Sequence, residues 1–236
     1  MTTRIAVLGD FNPKYSTHHA FNDSIRHIVR EMDADVQFDW IGTDIFDCNS
    51  AFSTYSGLWI ASGSPYANDE NVLATIKYVR ENKIPTFGNC GGFQCMLIEY
   101  ARNVCNIVNA DHEETYAEGK DLIISKLSCS LVDQEEELSI LDIDSILYNI
   151  VGGPKIKGGY YCSYGLNENY MQQLSDAGLS FTAKSQDGHW RAFELKSHPF
   201  YVATLFQPAL TSSAMNPNPI IVHFIKLCQT IDPRLR

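Results

Sequence analysis

The chain has 236 residues, of which 44% are hydrophobic and 19% charged, proportions that suit one large globular domain with a sizeable core. Its 28 acidic and 18 basic residues give a formal net charge of -10, and no basic run interrupts that balance. Nucleic acid and anionic membranes are therefore poor partners for it.

In chain order, RIAVLG (4–9) is a short apolar run ending in Gly and Asp, a predicted first strand. Residues 16 to 31 carry apolar Ala20, Ile25, Ile28 and Val29 at helical spacing. VQFDWI (36–41) alternates like a strand, and GLWIAS (57–62) reads as a buried strand ending at a Gly-Ser-Pro turn. NVLATIKYVREN (71–82) is an amphipathic helix, IPTFGN (84–89) a further strand, and GGFQCMLIEYARNV (91–104) the helix that follows. Strand and helix alternating at this spacing imply a parallel sheet with helices on both faces. The acidic run at 133–137 reads as a solvated loop or helix start. Farther on, KGGYYCSYGLN, LSFTAKS, HWRAFEL and FYVATLF are strand-like and joined by short turns such as Gln186-Asp187-Gly188, which suits antiparallel additions. PIIVHFIKLC (219–228) is a closing amphipathic helix. No repeat or linker divides the chain, so one domain over 1–236 is expected.

The N-terminus, MTTRIAVLGD, lacks the features of a signal peptide, and no apolar run has the length of a membrane span. Seven irregularly spaced cysteines include no CxxC pair, so neither a zinc site nor a disulfide framework is indicated. A reducing, cytoplasmic setting and no cofactor or metal are expected.

Gly88-Asn89-Cys90-Gly91-Gly92 has the spacing of a nucleophile elbow with Cys at the reactive position. Glycines flank such a turn because side chains there would clash. Cys90 at a helix N-terminus would be biased toward thiolate, with Gly91 N–H and a donor from the turn at Gly63 facing an oxyanion. Cys95 and Cys105 are expected to face the core from the helix. Asp10, His18 and His19 follow the first strand and are candidates for a recruited base, with solvated loop residues as the simpler reading. His198 is read as structural, and His112, His189 and His223 as surface or turn residues. Cys162, beside Ser163, can approach the pocket, which makes a redox pair with Cys90 conceivable, although nothing in the spacing supports that pair.

The stretches ENKIPTFGNCGGFQCMLIEYARNV, WIASGSP, ENYMQQLSDAGLSFTAKSQDG, SHPFYVATLFQPAL and MNPNP together resemble the class I glutamine amidotransferases, most of all the glutaminase domain of CTP synthase. The resemblance runs from end to end and implies a three-layer, flavodoxin-like α/β fold with a mainly parallel sheet. It also implies a Cys-His-Glu triad that hydrolyses glutamine and passes ammonia to a synthase domain.

Against that pattern, Cys90 keeps the nucleophile position and Gln94 the family's glutamine after the elbow. The family's F-H-P-E stands as Phe206-Gln207-Pro208-Ala209. Gln207 is thus expected at the base position and Ala209 at that of its orienting carboxylate, and an amide accepts no thiol proton. The arginine that holds the substrate carboxylate falls at Ser163, which lacks its charge and its bidentate fork. The glutamate for the substrate ammonium has a counterpart in Glu114, while the asparagine of that block is Asp111. No GxxxxGK[ST] loop occurs in the sequence, so CTP synthesis is not expected of this chain alone.

Three readings stay open from the residues. The first is a stand-alone binding or regulatory module with a small-molecule ligand at the elbow. The second is a cysteine-dependent hydrolase or transferase with another base. The third is a residual glutaminase working with a separate synthase or other protein partner.

Overall fold

Twelve strands and seven helices build the fold in a computed structural model, which describes residues 2–235. The first part alternates: β1 (Thr3–Leu8), α1 (Ser16–Glu31), β2 (Val36–Ile41), α2 (Cys48–Ala51), β3 (Gly57–Ile60), α3 (Asp69–Glu81), β4 (Thr86–Asn89) and α4 (Gly91–Asn103). Then come β5 (Ala110–His112), β6 (Asp121–Lys126), β7 (Glu135–Ile140), α5 (Ile146–Val151), β8 (Lys155–Gly159) and β9 (Tyr164–Leu166). The chain closes with α6 (Met171–Asp176), β10 (Ser180–Lys184), β11 (Trp190–Glu194), β12 (Tyr201–Thr204) and α7 (Pro219–Gln229).

Nine strands form one sheet in the order β2-β1-β3-β4-β12-β11-β10-β7-β8. From β2 to β12 every pairing is parallel, and from β12 to β8 every pairing is antiparallel. The expected parallel centre with an antiparallel addition is therefore present. Ile5 to Leu8 of β1 are wholly buried, as a continuous apolar run requires when both sheet faces are covered. Trp59 and Phe87 meet edge to face at 4.7 Å, and Trp59 packs on Phe224 of α7 on the same side. Asn68 caps α3 through the N–H of Asn71, and Asn218 caps α7, with Pro219 as its first residue.

β4 lies between β3 and β12, all three parallel. The chain segments leaving these strands therefore emerge together at one sheet edge, where α/β folds place their ligands. Residue 90 follows β4, the turn at residues 62–64 follows β3, and Gln207 follows β12.

Two expectations are corrected here. The acidic run is loop only at Asp133 and Gln134, and it starts no helix, because residues 135–137 open β7. Glu135 and Glu137 pair with Lys157 and Lys155 on β8, while Glu136 meets the buried Arg191 at 3.1 Å and accepts from the Tyr160 hydroxyl. The run KGGYYCSYGLN is not one strand. It contributes the end of β8 to the large sheet and then β9 to a separate three-stranded sheet, ordered β5-β6-β9. Residues 160–163 bridge the two sheets outside either ladder. Among the described residues, no helix is long and apolar enough to cross a membrane.

Candidate functional site

The elbow is built by close approach. A Cβ on Gly88 would lie 2.5 Å from the Met96 sulfur, and one on Gly92 only 2.6 Å from the Ile60 carbonyl oxygen, so both positions require glycine. Cys90 itself sits at φ 53°, ψ -109°, a conformation that side chains rarely adopt. It is pinned from both sides: its N–H donates to Thr204 O at 3.0 Å, and its carbonyl accepts the Gln94 N–H at 3.1 Å. The side chain caps nothing, which leaves the sulfur to the cleft.

That cleft has a volume of about 690 Å³. Cys90, Gln94, Glu114, Ser163, Gly63 and Gln207, all singled out in the sequence, line it together. Gly91 contributes its N–H to the Cys90 sulfur. Ala209 lies behind the cleft with Gln207 at a void of about 10 Å³ beside Trp40 and Trp59. Gln207 is 2% exposed, and its Nε2 has no hydrogen-bond partner among the described residues. Gln94 is fixed by Ser64 Oγ, which donates to its Oε1 at 3.1 Å, and by its own Nε2, which donates to Tyr164 O at 3.0 Å. The Ser163 hydroxyl lies 2.9 Å from that of Ser130.

Cys162 also lines the cleft, and its thiol hydrogen-bonds to the Cys90 sulfur. This contact, aided by the Gly91 N–H, holds Cys90 below the ordinary thiol range despite burial and the nearby charge of Glu114. The same contact, together with burial, pushes the Cys162 thiol well up. Burial likewise raises Glu114 above the usual carboxylate range.

The other candidate bases stand away from the sulfur. His18 is not a solvated loop residue: it is buried, accepts the Asn12 N–H on Nδ1 at 3.0 Å and donates from Nε2 to Ser62 O at 2.9 Å. Both ring nitrogens are thereby spent on tying α1 to the turn after β3, and burial lowers its pKa. Asp10 accepts from the N–H groups of Thr43 and Ala67, and His19 Nε2 bonds Pro13 O at 2.7 Å. No histidine is among the described residues lining the cleft.

His198 is structural, bonded to Val79 O and the Phe200 N–H. His112, expected at the surface, is instead buried in β5, where its Nδ1 accepts the Glu114 N–H at 3.0 Å and so fixes the main chain beside that carboxylate. Burial lowers it to about 4. Lys14 and Lys126 line the cleft without any sequence signature, although Lys14 follows the end of β1, where strand topology places ligands.

An α/β sheet with a strained cysteine at the strand-to-helix turn after a central strand defines the class to which this molecule belongs. The profile described as "Glutamine amidotransferase class-I" matches residues 16–227, and the chain is a member of that family. More particularly, it is similar to the glutamine amidotransferase part of CTP synthase. CTP synthase from Nautilia profundicola is 27% identical over 254 residues, covering 95% of this chain and 46% of that protein. CTP synthase from Saccharolobus solfataricus is 27% identical over 243 residues, covering 95% and 44%. The chain thus spans less than half the length of these curated relatives. Among solved structures, the Trypanosoma brucei CTPS glutaminase domain with bound acivicin shares the fold at a TM-score of 0.87 and 21% identity, covering 99% of this chain and 97% of that one. A glutamine amidotransferase from Thermotoga maritima shares it at a TM-score of 0.57 and 12% identity, covering 100% and 88%.

Proposed function

We propose that residues 1–236 form one amidotransferase-like domain that binds a small molecule at the Cys90 cleft and does not hydrolyse glutamine at an ordinary rate. The observation that carries this reading is the composition of the cleft around the sulfur: an amide, Gln207, and a second thiol, Cys162, with no imidazole among the described lining residues. A primary amide neither takes the thiol proton nor returns one to leaving ammonia. In this reading Gln207 and Ala209 occupy the base and orienter positions of a degenerate triad. Ser163 stands where a guanidinium would hold a substrate carboxylate. A site with serine there offers no guanidinium fork for a substrate carboxylate, and the cations of this cleft are Lys14 and Lys126 instead, which favours an anionic group placed differently from that of glutamine.

The test is ammonia release from glutamine, with Cys90→Ser as the blank. Loss of triad members leaves oxyanion and binding effects alone, so the expected rate is about a thousandfold or more below that of a working amidotransferase. Gln207→His with Ala209→Glu should restore little unless Ser163→Arg is added. An ordinary rate abolished by Cys90→Ser would overturn the proposal. Acivicin, bound by the Trypanosoma brucei domain, is a second probe, and no thermal shift is expected with it.

A second reading rests on the lowered Cys90 thiol, which suits a cysteine-dependent hydrolase or transferase acting on another substrate. CTP formation is not assigned to these residues, and any synthase partner belongs to the third reading, which the ammonia assay decides.

A further inference from the structure

The cleft contains, beside Cys90, a second sulfur that glutamine chemistry does not use. Cys90 and Cys162 both line it, both are free thiols, and the two are in hydrogen-bonding contact. They come from separate parts of the fold. Cys90 is locked in the elbow by main-chain bonds to Thr204 and Gln94. Cys162 lies in the bridging segment 160–163, where its carbonyl accepts the Leu131 N–H at 2.9 Å. That segment belongs to no sheet ladder, so it is the partner that can yield as sulfur–sulfur contact shortens to a bond of about 2.05 Å.

We propose that Cys90 and Cys162 form a two-thiol redox site that reduces a small hydroperoxide and closes to an intramolecular disulfide. Cys90 is the attacking sulfur, because the Gly91 N–H and the Cys162 thiol both donate to it and stabilise its thiolate. The thiolate attacks the terminal oxygen of R–O–OH. The O–O bond breaks, an S–O bond forms, and the alkoxide leaves and takes a proton from solvent. Cys90 is then a sulfenic acid. The Cys162 sulfur attacks that sulfur, its proton leaves with the hydroxyl as water, and the disulfide forms. Two electrons, one from each thiol, have reduced the peroxide. An added dithiol returns the pair to the reduced state by exchange.

Other cysteines supply internal comparators. Cys95 is buried in α4 with its thiol pushed far up, Cys105 is half-buried after α4, and Cys129 is exposed.

The experiment treats the reduced full chain with one equivalent of hydrogen peroxide or of tert-butyl hydroperoxide. Peptide mapping without reductant follows, in parallel with Cys162→Ser and Cys90→Ser. The wild type should yield a linked peptide containing Cys90 and Cys162. Cys162→Ser should instead trap Cys90 as a dimedone-reactive sulfenic acid and accumulate about tenfold more sulfinic acid there, since no thiol resolves it. Cys90→Ser should leave Cys162 reduced. A thermal melt of each variant establishes that it is folded, and serine at either site is close in size to the thiol it replaces.

The proposal is overturned if no Cys90–Cys162 peptide forms, or if Cys90 links mainly to Cys129. It is also overturned if sulfinic acid accumulates equally with and without Cys162. Ammonia release bears on none of these readouts, so this inference and the glutaminase reading fail separately.

Discussion

At Cys90 a strained main chain, a helix N-terminus and a neighbouring thiol act on one sulfur. The neighbour contributes the largest favourable part, so its removal should be felt at Cys90. Cys162→Ala takes away the donated S–H, and the Cys90 pKa should rise. Such a rise lowers the thiolate fraction at a given pH. Iodoacetamide labelling of Cys90 across a pH series should therefore shift to higher pH in Cys162→Ala, while Cys162→Ser, which keeps a donor, should shift less. Unchanged labelling in Cys162→Ala would show that Gly91 and the helix end suffice. In the wild type, Cys90 should also label ahead of Cys95 and Cys105, whose thiols burial pushes up. Cys105 packs against the core as expected, but half-buried and from beyond the end of α4 and not from the helix itself.

Helices α3 and α4 are fastened by Arg80 and Glu99, whose guanidinium and carboxylate meet in a fork with contacts of 2.9 and 2.7 Å. Glu99 is wholly buried, so Glu99→Leu leaves the Arg80 guanidinium only the partly exposed Glu81, 3.7 Å away, and should cost about 3 kcal/mol in urea unfolding. Adding Arg80→Met should recover most of that loss, and failure to recover would place the cost in packing instead. Elements of this kind are legible in the sequence, because β1 to α4, apart from the short and unexpected α2, carry undisturbed periodicity and have ends close to the expected residues. The stretch from β5 to β9 is not. In β7 the alternation that buries Leu138 and Ile140 is hidden behind three glutamates, whose charges are met by lysines and an arginine distant in sequence. In the 157–167 run, strand propensity is continuous, but tertiary packing divides it between two sheets. Of the site, the elbow is legible from glycine spacing, and the positions of Ser163 and Gln207 from the resemblance. The place of Cys162 near the pocket follows from its position beside Ser163, but its contact with Cys90 does not, since only the folded chain brings β4 and the bridge together.

Over the whole molecule, three histidines, His18, His112 and His198, are buried and held below their ordinary pKa by that burial. Because the folded values lie below the unfolded value of about 6.5, the unfolded chain gains protons first as pH falls. Stability from these groups is therefore complete above that value and is lost on the way down toward the folded pKa, about 4 for His112. For His112 alone the loss by pH 5 amounts to about 2 kcal/mol. Urea midpoints at pH 7.5 and 5 should differ accordingly, and His112→Gln should narrow the difference. If His112→Gln leaves the difference as it was, His112 is not held neutral by the fold.

The bridge at residues 160–163 also divides the labour of the cleft. The large sheet carries the elbow and Gln207, while Lys126, Ser163 and Tyr164 lie on or beside the small sheet, and the two sheets share no ladder. Substitutions on the small sheet that lie well away from the elbow and share no partner with it tend to act independently of it. Mutational drift can therefore alter what the small-sheet wall admits while the reactive sulfur keeps its pose. A lineage built on this frame can change its ligand in small inherited steps, none of which requires the elbow to be rebuilt.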